Sequence, residues 1–344
     1  MAYRLTLAPW LKGYRPGDAA ADGLAALIVT LMLIPQSLAY ALVAGVPAQM
    51  GLYASILPLL AYALFGSSRT LAVGPVAVVS LMTAAAAGQV AGGDSGAYLA
   101  ATVILALLSG VFLVAMGLLR LGWIANLLSH SVISGFITAS GLLIAASQLK
   151  HLLGIPMQGD TLWELGLSAF REAASVNGPT LLVGAAALLF LLWARGPLKR
   201  LLARTPLPPM LADLLAKAGP VLAVIGTTVA VAAGDLQSQG VAVVGAIPGG
   251  LPALSLPAFD AGVWGQLALP ALLISLIGFV ESVSVAQTLA AKRRQRIDSN
   301  AELIGLGTAN LASGVSGGFP VTGGFSRSVV NFDAGARSPM AGVF

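Results

Sequence analysis

Gly317-Gly318-Phe319-Pro320-Val321-Thr322-Gly323-Gly324-Phe325-Ser326-Arg327-Ser328 is the stretch on which the fold turns. It sets a Gly/Pro break and a run of small and hydroxyl residues around a single arginine. Proline fits the first turn of a helix, where its missing N–H costs nothing. The stretch therefore predicts a helix that starts partway through an apolar segment. Such a start exposes unpaired N–H groups and about half a positive charge, which suits an anion. A second break of the same kind stands at Gly74-Pro75-Val76-Ala77-Val78-Val79-Ser80. Taken singly, each break reads as an ordinary helix-packing feature, since Gly and Pro are frequent in membrane helices. The matched pair, with an arginine beside one of them, shifts the reading to a binding site.

The surroundings are those of a membrane protein. Of 344 residues, 57% are hydrophobic and 9% are charged, against roughly 25% charged in soluble domains. Mean hydropathy is +0.90. Residues 23–68 hold no charge over 46 positions, and 95–119, 121–149 and 173–194 are also uncharged. About 20 apolar residues cross the hydrocarbon core as a helix, and these runs lack the alternation of barrel strands. Ten hydrophobic segments are predicted, near 22–43, 50–65, 72–91, 97–119, 123–148, 178–194, 218–234, 264–290, 301–315 and 321–336. Residues 1–21 form a cytoplasmic N-terminal segment, and 22–344 form the transmembrane domain. Residues 151–177 read as an external loop with a short surface helix, and 245–257 as a broken external stretch.

With the N-terminus inside, fourteen Lys and Arg fall in cytoplasmic segments, and only Lys150 and Arg171 fall outside. That bias follows the positive-inside rule, so 292–296 are expected inside and 160–171 outside. The same rule accounts for the net charge of +5 without nucleic acid. No apolar signal-peptide core precedes residue 22. The chain has no cysteine, which excludes disulfides, thiolate metal sites and cysteine catalysis. No metal-ligand cluster or nucleophile–base pair stands out, so an enzyme is not expected.

An offset of 245 carries Ile34-Pro35-Gln36-Ser37-Leu38-Ala39-Tyr40 onto Phe279-Val280-Glu281-Ser282-Val283-Ser284-Val285 and Gly74-Pro75-Val76 onto Phe319-Pro320-Val321. It moves segment one onto eight and three onto ten. Seven segments is an odd number, so the halves would run in opposite senses, as in many transporters. Two helix starts would then face each other near the midplane beside Arg327. The second half has only about 80 residues before Phe344, so the chain is expected to be incomplete and, alone, not to transport.

An arginine at that depth costs at least ~2.5 kcal/mol and is a functional candidate by default. Glu281 is the single acid between Ala261 and Ala291, on one helix face with Ser284 and Thr288. Two readings stay open for it: a proton-coupling carboxylate, or a structural partner of Arg327. Sodium is disfavoured, because that ion needs several oxygens and position 285 is Val. Gln36 and Tyr40 share a face of a first helix that Pro35 is expected to interrupt. His130 reads as an interfacial polar residue, and Asp333 is expected near the far end of segment ten.

Pro35-Gln36-Ser37-Leu38-Ala39-Tyr40-Ala41 continues through Ala44-Gly45-Val46-Pro47 to Gly51-Leu52-Tyr53-Ala54-Ser55. With Gly74-Pro75 and Ser80, Leu128-Ser129-His130-Ser131-Val132-Ile133-Ser134-Gly135-Phe136, and 319–328, this run resembles the signature of the SulP family of sulfate permeases and anion exchangers. The resemblance spans residues 7–339. It implies an all-α polytopic membrane protein with the inverted-repeat transporter fold, seven plus seven segments, of which ten are present here. It also implies a cytoplasmic STAS domain, which is not expected within residues 1–344. Carried over, the anion site falls on Gln36, Tyr40, Ala77, Ser326 and Arg327, and the proton-coupling acid on Glu281.

The function so implied is proton-coupled transport of sulfate or a related oxyanion by alternating access, in the cell's inner (plasma) membrane. An exchanger or bicarbonate carrier on the same scaffold is the alternative, and a non-transporting remnant or membrane partner is the rival of another class. The expected partners are a small inorganic anion, a proton and the bilayer, with a homodimer admitted. No cofactor or metal is expected.

Overall fold

The computed structural model describes residues 7–11, 13–126, 130–157, 159, 161–202, 219–243, 250, 254 and 256–344. Thirteen α-helices are seen among them: α1 (Pro16–Val43), α2 (Ala48–Tyr53), α3 (Leu57–Phe65), α4 (Ala77–Ala91), α5 (Ser95–Leu118), α6 (His130–Leu153) and α7 (Leu162–Arg171). There follow α8 (Gly178–Trp193), α9 (Lys199–Leu202), α10 (Gly219–Ala233), α11 (Ala261–Lys292), α12 (Ser299–Val315) and α13 (Phe325–Asp333). Each of the ten predicted segments holds at least one of these helices. Pro16–Val43, Ala48–Phe65, Ser95–Leu118 and Ala261–Lys292 are long and apolar enough to cross a membrane. The 32 residues of α11 would rise about 48 Å.

Two expectations are corrected. The first helix starts at Pro16 rather than near 22, because Pro16 holds N1 and Asp18 accepts from the backbone N–H of Arg15. It is also not interrupted at Pro35, which lies inside one continuous helix. Proline forfeits a single backbone bond there, a loss that membrane helices absorb.

The chain divides into two compact units, Met1–Ser134 with Pro248–Phe344, and Gly135–Ile247. In the second unit α10 packs on α8. There α7 is the predicted surface helix, closed by a Thr161–Glu164 capping box and carrying exposed Trp163 and Phe170. Most of 245–257 lies outside the described residues. So do 128–129 and the side chain of His130, whose backbone begins α6.

The first unit is built around α5 and α12, which also contact α11 and α3 respectively. Lipid is as apolar as leucine, so close backbone approach rather than water exclusion holds such helices together. Gly110 and Gly307 show it: a Cβ on Gly110 would stand 2.9 Å from the Gly307 carbonyl, and one on Gly307 would stand 3.0 Å from that of Gly110. Apolar packing around Leu105, Leu267 and Ile274, and around Phe279, Leu303 and Phe319, fills the interior.

One buried acid fixes the approach to the first helix break. Glu302 accepts from Tyr62 Oη (2.8 Å), the Ser67 and Ser68 N–H groups (2.8 Å each) and Ser67 Oγ (2.7 Å). Glu302→Ala leaves those donors buried and unpaired, at about 1–3 kcal/mol each before relaxation. The expected result is a loss of roughly 3 kcal/mol or more in detergent unfolding; an unchanged midpoint would mean that water replaces the carboxylate.

Candidate functional site

Val73–Gly74 (β1) and Thr322–Gly323 (β2) form a two-residue antiparallel bridge, with Val73 opposite Gly323 and Gly74 opposite Thr322. Helix α4 begins three residues after Gly74, and α13 begins two after Gly323. The two breaks therefore meet, and a helix runs away from each. Neither Val76 nor Gly324, the N-cap residues, gives a side-chain cap, so both helix starts keep their N–H groups uncapped.

The prolines do not stand where the sequence placed them. Pro75 precedes the first helical residue by two positions and Pro320 by five. A proline holds the residue before it in extended conformation, so here the two prolines set the approach strands rather than the helix turns.

The second strand is pinned by side chains. Asn310 bonds both the N–H and the carbonyl of Val321 (3.0 and 2.8 Å), and Ser313 Oγ donates to the Phe319 carbonyl (2.7 Å). The Gly323 N–H donates to Ser282 Oγ (2.7 Å), and Thr322 Oγ1 donates to the Gly278 carbonyl (2.6 Å). Ser328 Oγ accepts from the Ala72 N–H at 2.9 Å, tying α13 to the first break. Asn331 Nδ2 donates to the Thr70 carbonyl at 3.0 Å.

Inside this frame Arg327 is 2% exposed. Among the described residues, its Nε, Nη1 and Nη2 atoms have no hydrogen-bond partner, and neither does the buried Ser80 Oγ on α4. A buried charge is costly unless paired, and five N–H donors in a planar fork stand idle here. Glycine makes the room: a Cβ at Gly324 would lie 3.0 Å from Nη2, and one at Gly74 would lie 3.2 Å from it. Gly324→Ala forces the guanidinium aside by a few tenths of an ångström. The expected result is a several-fold loss of anion affinity with little change in thermal stability; unaltered affinity would show that the guanidinium finds an equivalent seat.

Tyr40 and Glu281 lie near enough to interact electrostatically with Arg327, though neither hydrogen-bonds it. The pairing of Glu281 with Arg327, one of the two readings open for Glu281, is not formed as a hydrogen bond among the described residues. Helix α1, which carries Gln36 and Tyr40, contacts both α4 and α13. Gln36 and Tyr40 are half-buried, as is Ala77 at the first position of α4; Ser326, the second residue of α13, is exposed. Ser284 Oγ and Thr288 Oγ1 bond carbonyls of their own helix. Asp333 closes α13 and is exposed.

The sequence reading missed Gly74 and Gly324 as the guanidinium's walls, and Ser282, Asn310 and Thr322 as the strand's anchors. It also missed Asp22, fully buried, which accepts from Ser338 Oγ (2.5 Å) and from the Arg337 and Ser338 N–H groups (2.6 and 3.1 Å). An isolated acid at the head of an apolar helix was the available signal.

Paired, uncapped helix starts joined through a strand bridge, with a buried cation between them, define a polytopic membrane domain of the transporter type. The model of the sulfate permease family matches residues 20–344, and the chain belongs to that family. It is 38% identical over 341 residues to sulfate transporter 4.1, chloroplastic, of Arabidopsis thaliana, covering 97% of this chain and 47% of that protein. A probable sulfate transporter of Mycobacterium tuberculosis is 36% identical over 331 residues, covering 96% and 55%. The chain thus spans about half the length of the curated relatives it matches. Among solved structures, the murine anion transporter Solute Carrier 26 family member A9, inward-facing, superposes with a TM-score of 0.83 at 26% identity, covering 97% of this chain and 56% of that one. The transmembrane domain of a cyanobacterial bicarbonate transporter shares the fold, with a TM-score of 0.79 at 24% identity over 96% and 81%.

Proposed function

We propose that this chain carries the anion site of a secondary active transporter for sulfate or a related small oxyanion, coupled to protons and working by alternating access. The observation that carries the reading is the buried, unpartnered guanidinium of Arg327 between two uncapped helix starts. A tetrahedral or planar oxyanion supplies the missing acceptors: Arg327 binds two oxygens as a fork, and the N–H groups at Ala77 and Ser326 bind others. Gln36 and Tyr40 approach from α1, and Ser326 adds its hydroxyl. Glu281 is the proton acceptor, its charge competing with the anion for Arg327. The named activities of the sulfate-transporting relatives agree with this substrate.

Counterflow of labelled sulfate in proteoliposomes, with the complete reading frame, is the test. Labelled sulfate is expected to accumulate against unlabelled sulfate. If bicarbonate drives counterflow and sulfate does not, the substrate assignment fails.

The proposed orientation places the N-terminus in the cytoplasm. In this cysteine-free chain, Arg296→Cys is expected to react with a membrane-impermeant maleimide from inside only, and Arg171→Cys from outside only. The reverse pattern would invert the topology.

A further inference from the structure

A second basic cavity lies away from Arg327, at the end of the first unit where α1 begins and α11 finishes. Its volume is about 560 Å³, and Trp10, Tyr14, Asp18, Arg69, Arg293 and Arg337 line it. Three guanidinium groups face one wall carboxylate. Arg69 is exposed and has no hydrogen bond or ion pair among the described residues. Arg337 Nη1 touches Asp18 Oδ1 at 3.4 Å, with 65% of the arginine side chain exposed; such a pair is weak and gives way to a better acceptor. Arg293 donates from Nη1 to the Ala336 carbonyl and from Nη2 to that of Phe332 (2.8 Å), which leaves three of its five N–H groups. Burial first, and Arg337 second, pull Arg293 below the ordinary arginine range, against Asp22 and Asp333. Asp22 is fully buried behind the wall, accepting from Ser338 Oγ, Tyr14 Oη and the Arg337 backbone N–H, and does not line the cavity. The lining itself thus carries three guanidinium groups against the single carboxylate of Asp18.

Its position names the kind of anion. Helices α1 and α11 are both long enough to span a bilayer, so a cavity at their ends sits at the boundary between hydrocarbon and water. Trp10 and Tyr14 pack edge to face there, ring centroids 5.4 Å apart, as interfacial aromatics do. Leu7 and Leu11, flanking Trp10, are 64% and 57% exposed. A free inorganic anion has no use for an apolar rim, whereas a phospholipid meets both, phosphate on arginine and acyl chain beside leucine. We propose that this cavity binds the headgroup of an anionic phospholipid from the adjoining leaflet.

The test uses the full-length protein in detergent with phosphatidylglycerol, phosphatidylcholine, glycerol phosphate and inorganic phosphate, read by native mass spectrometry and thermal shift. Phosphatidylglycerol is expected to bind at least about tenfold more tightly than phosphatidylcholine, and neither soluble phosphate is expected to displace it. Arg69→Gln with Arg337→Gln should erase that preference. Lys150→Gln with Arg171→Gln, which removes the same charge elsewhere, should keep it. Equal binding of the two lipids, or equal loss in both double variants, overturns the proposal. Displacement by glycerol phosphate or inorganic phosphate would make this a soluble-phosphate site instead. Labelled-sulfate counterflow is measured in parallel, because loss of lipid preference with counterflow intact separates this site from the one at Arg327.

Discussion

Arg327→Ala is expected to weaken anion binding at least about tenfold, which is 1.4 kcal/mol, in the folded, full-length protein. Hydrogen bonds to charged groups contribute about 1.5–3 kcal/mol each, and all three nitrogens of this guanidinium are unpartnered without an anion. The same fact sets the sign of a second readout. Removing an uncompensated buried charge should not lower the thermal stability of the anion-free protein, and should abolish the stabilisation that added sulfate gives. Arg327→Lys keeps the charge but loses the planar fork, so it should fall between wild type and alanine. Arg171→Ala, on the exposed face of α7, should bind normally. Equal anion affinity for wild type and Arg327→Ala would assign Arg327 to architecture alone.

Glu281→Gln should separate binding from coupling. The glutamine has nearly the volume of a protonated glutamate and carries no charge to compete with an anion for Arg327. Linkage is reciprocal: if protonation of Glu281 favours anion binding, the anion favours protonation by the same factor. Fixing the neutral form removes that exchange of free energy and leaves the anion's own contacts. The expected variant binds sulfate and exchanges it, but does not concentrate it when a pH gradient is applied. Uphill uptake with the wild-type pH dependence would show that another group couples. Failure to insert or fold would restore the structural reading of Glu281, which the absence of a hydrogen bond to Arg327 already weakens.

The membrane class and the two helix breaks were legible in the chain. Hydropathy yields ten apolar segments and charge spacing sets off several of them, because hydrocarbon tolerates no run of ionised side chains. Arg327 and Glu281 stand out for the same reason, as rare charges in segments that exclude charge. The paired Gly/Pro breaks are local features, and the sequence shows them directly.

Tertiary structure decided the rest. Pro35 reads as an interruption, yet α1 passes through it, since contacts with α2, α4 and α13 outweigh one lost backbone bond. Pro75 and Pro320 read as helix starts, yet they set strands, because the bridge of Gly74 to Thr322 supplies partners 248 positions apart. Glu302 with Ser67, Asp22 with Ser338, and the glycine walls of Arg327 join residues across 235, 316 and up to 253 positions of chain. Hydropathy and periodicity are sums over neighbours in sequence. A buried carboxylate's donors and a guanidinium's walls are neighbours only in space, so packing alone chose them.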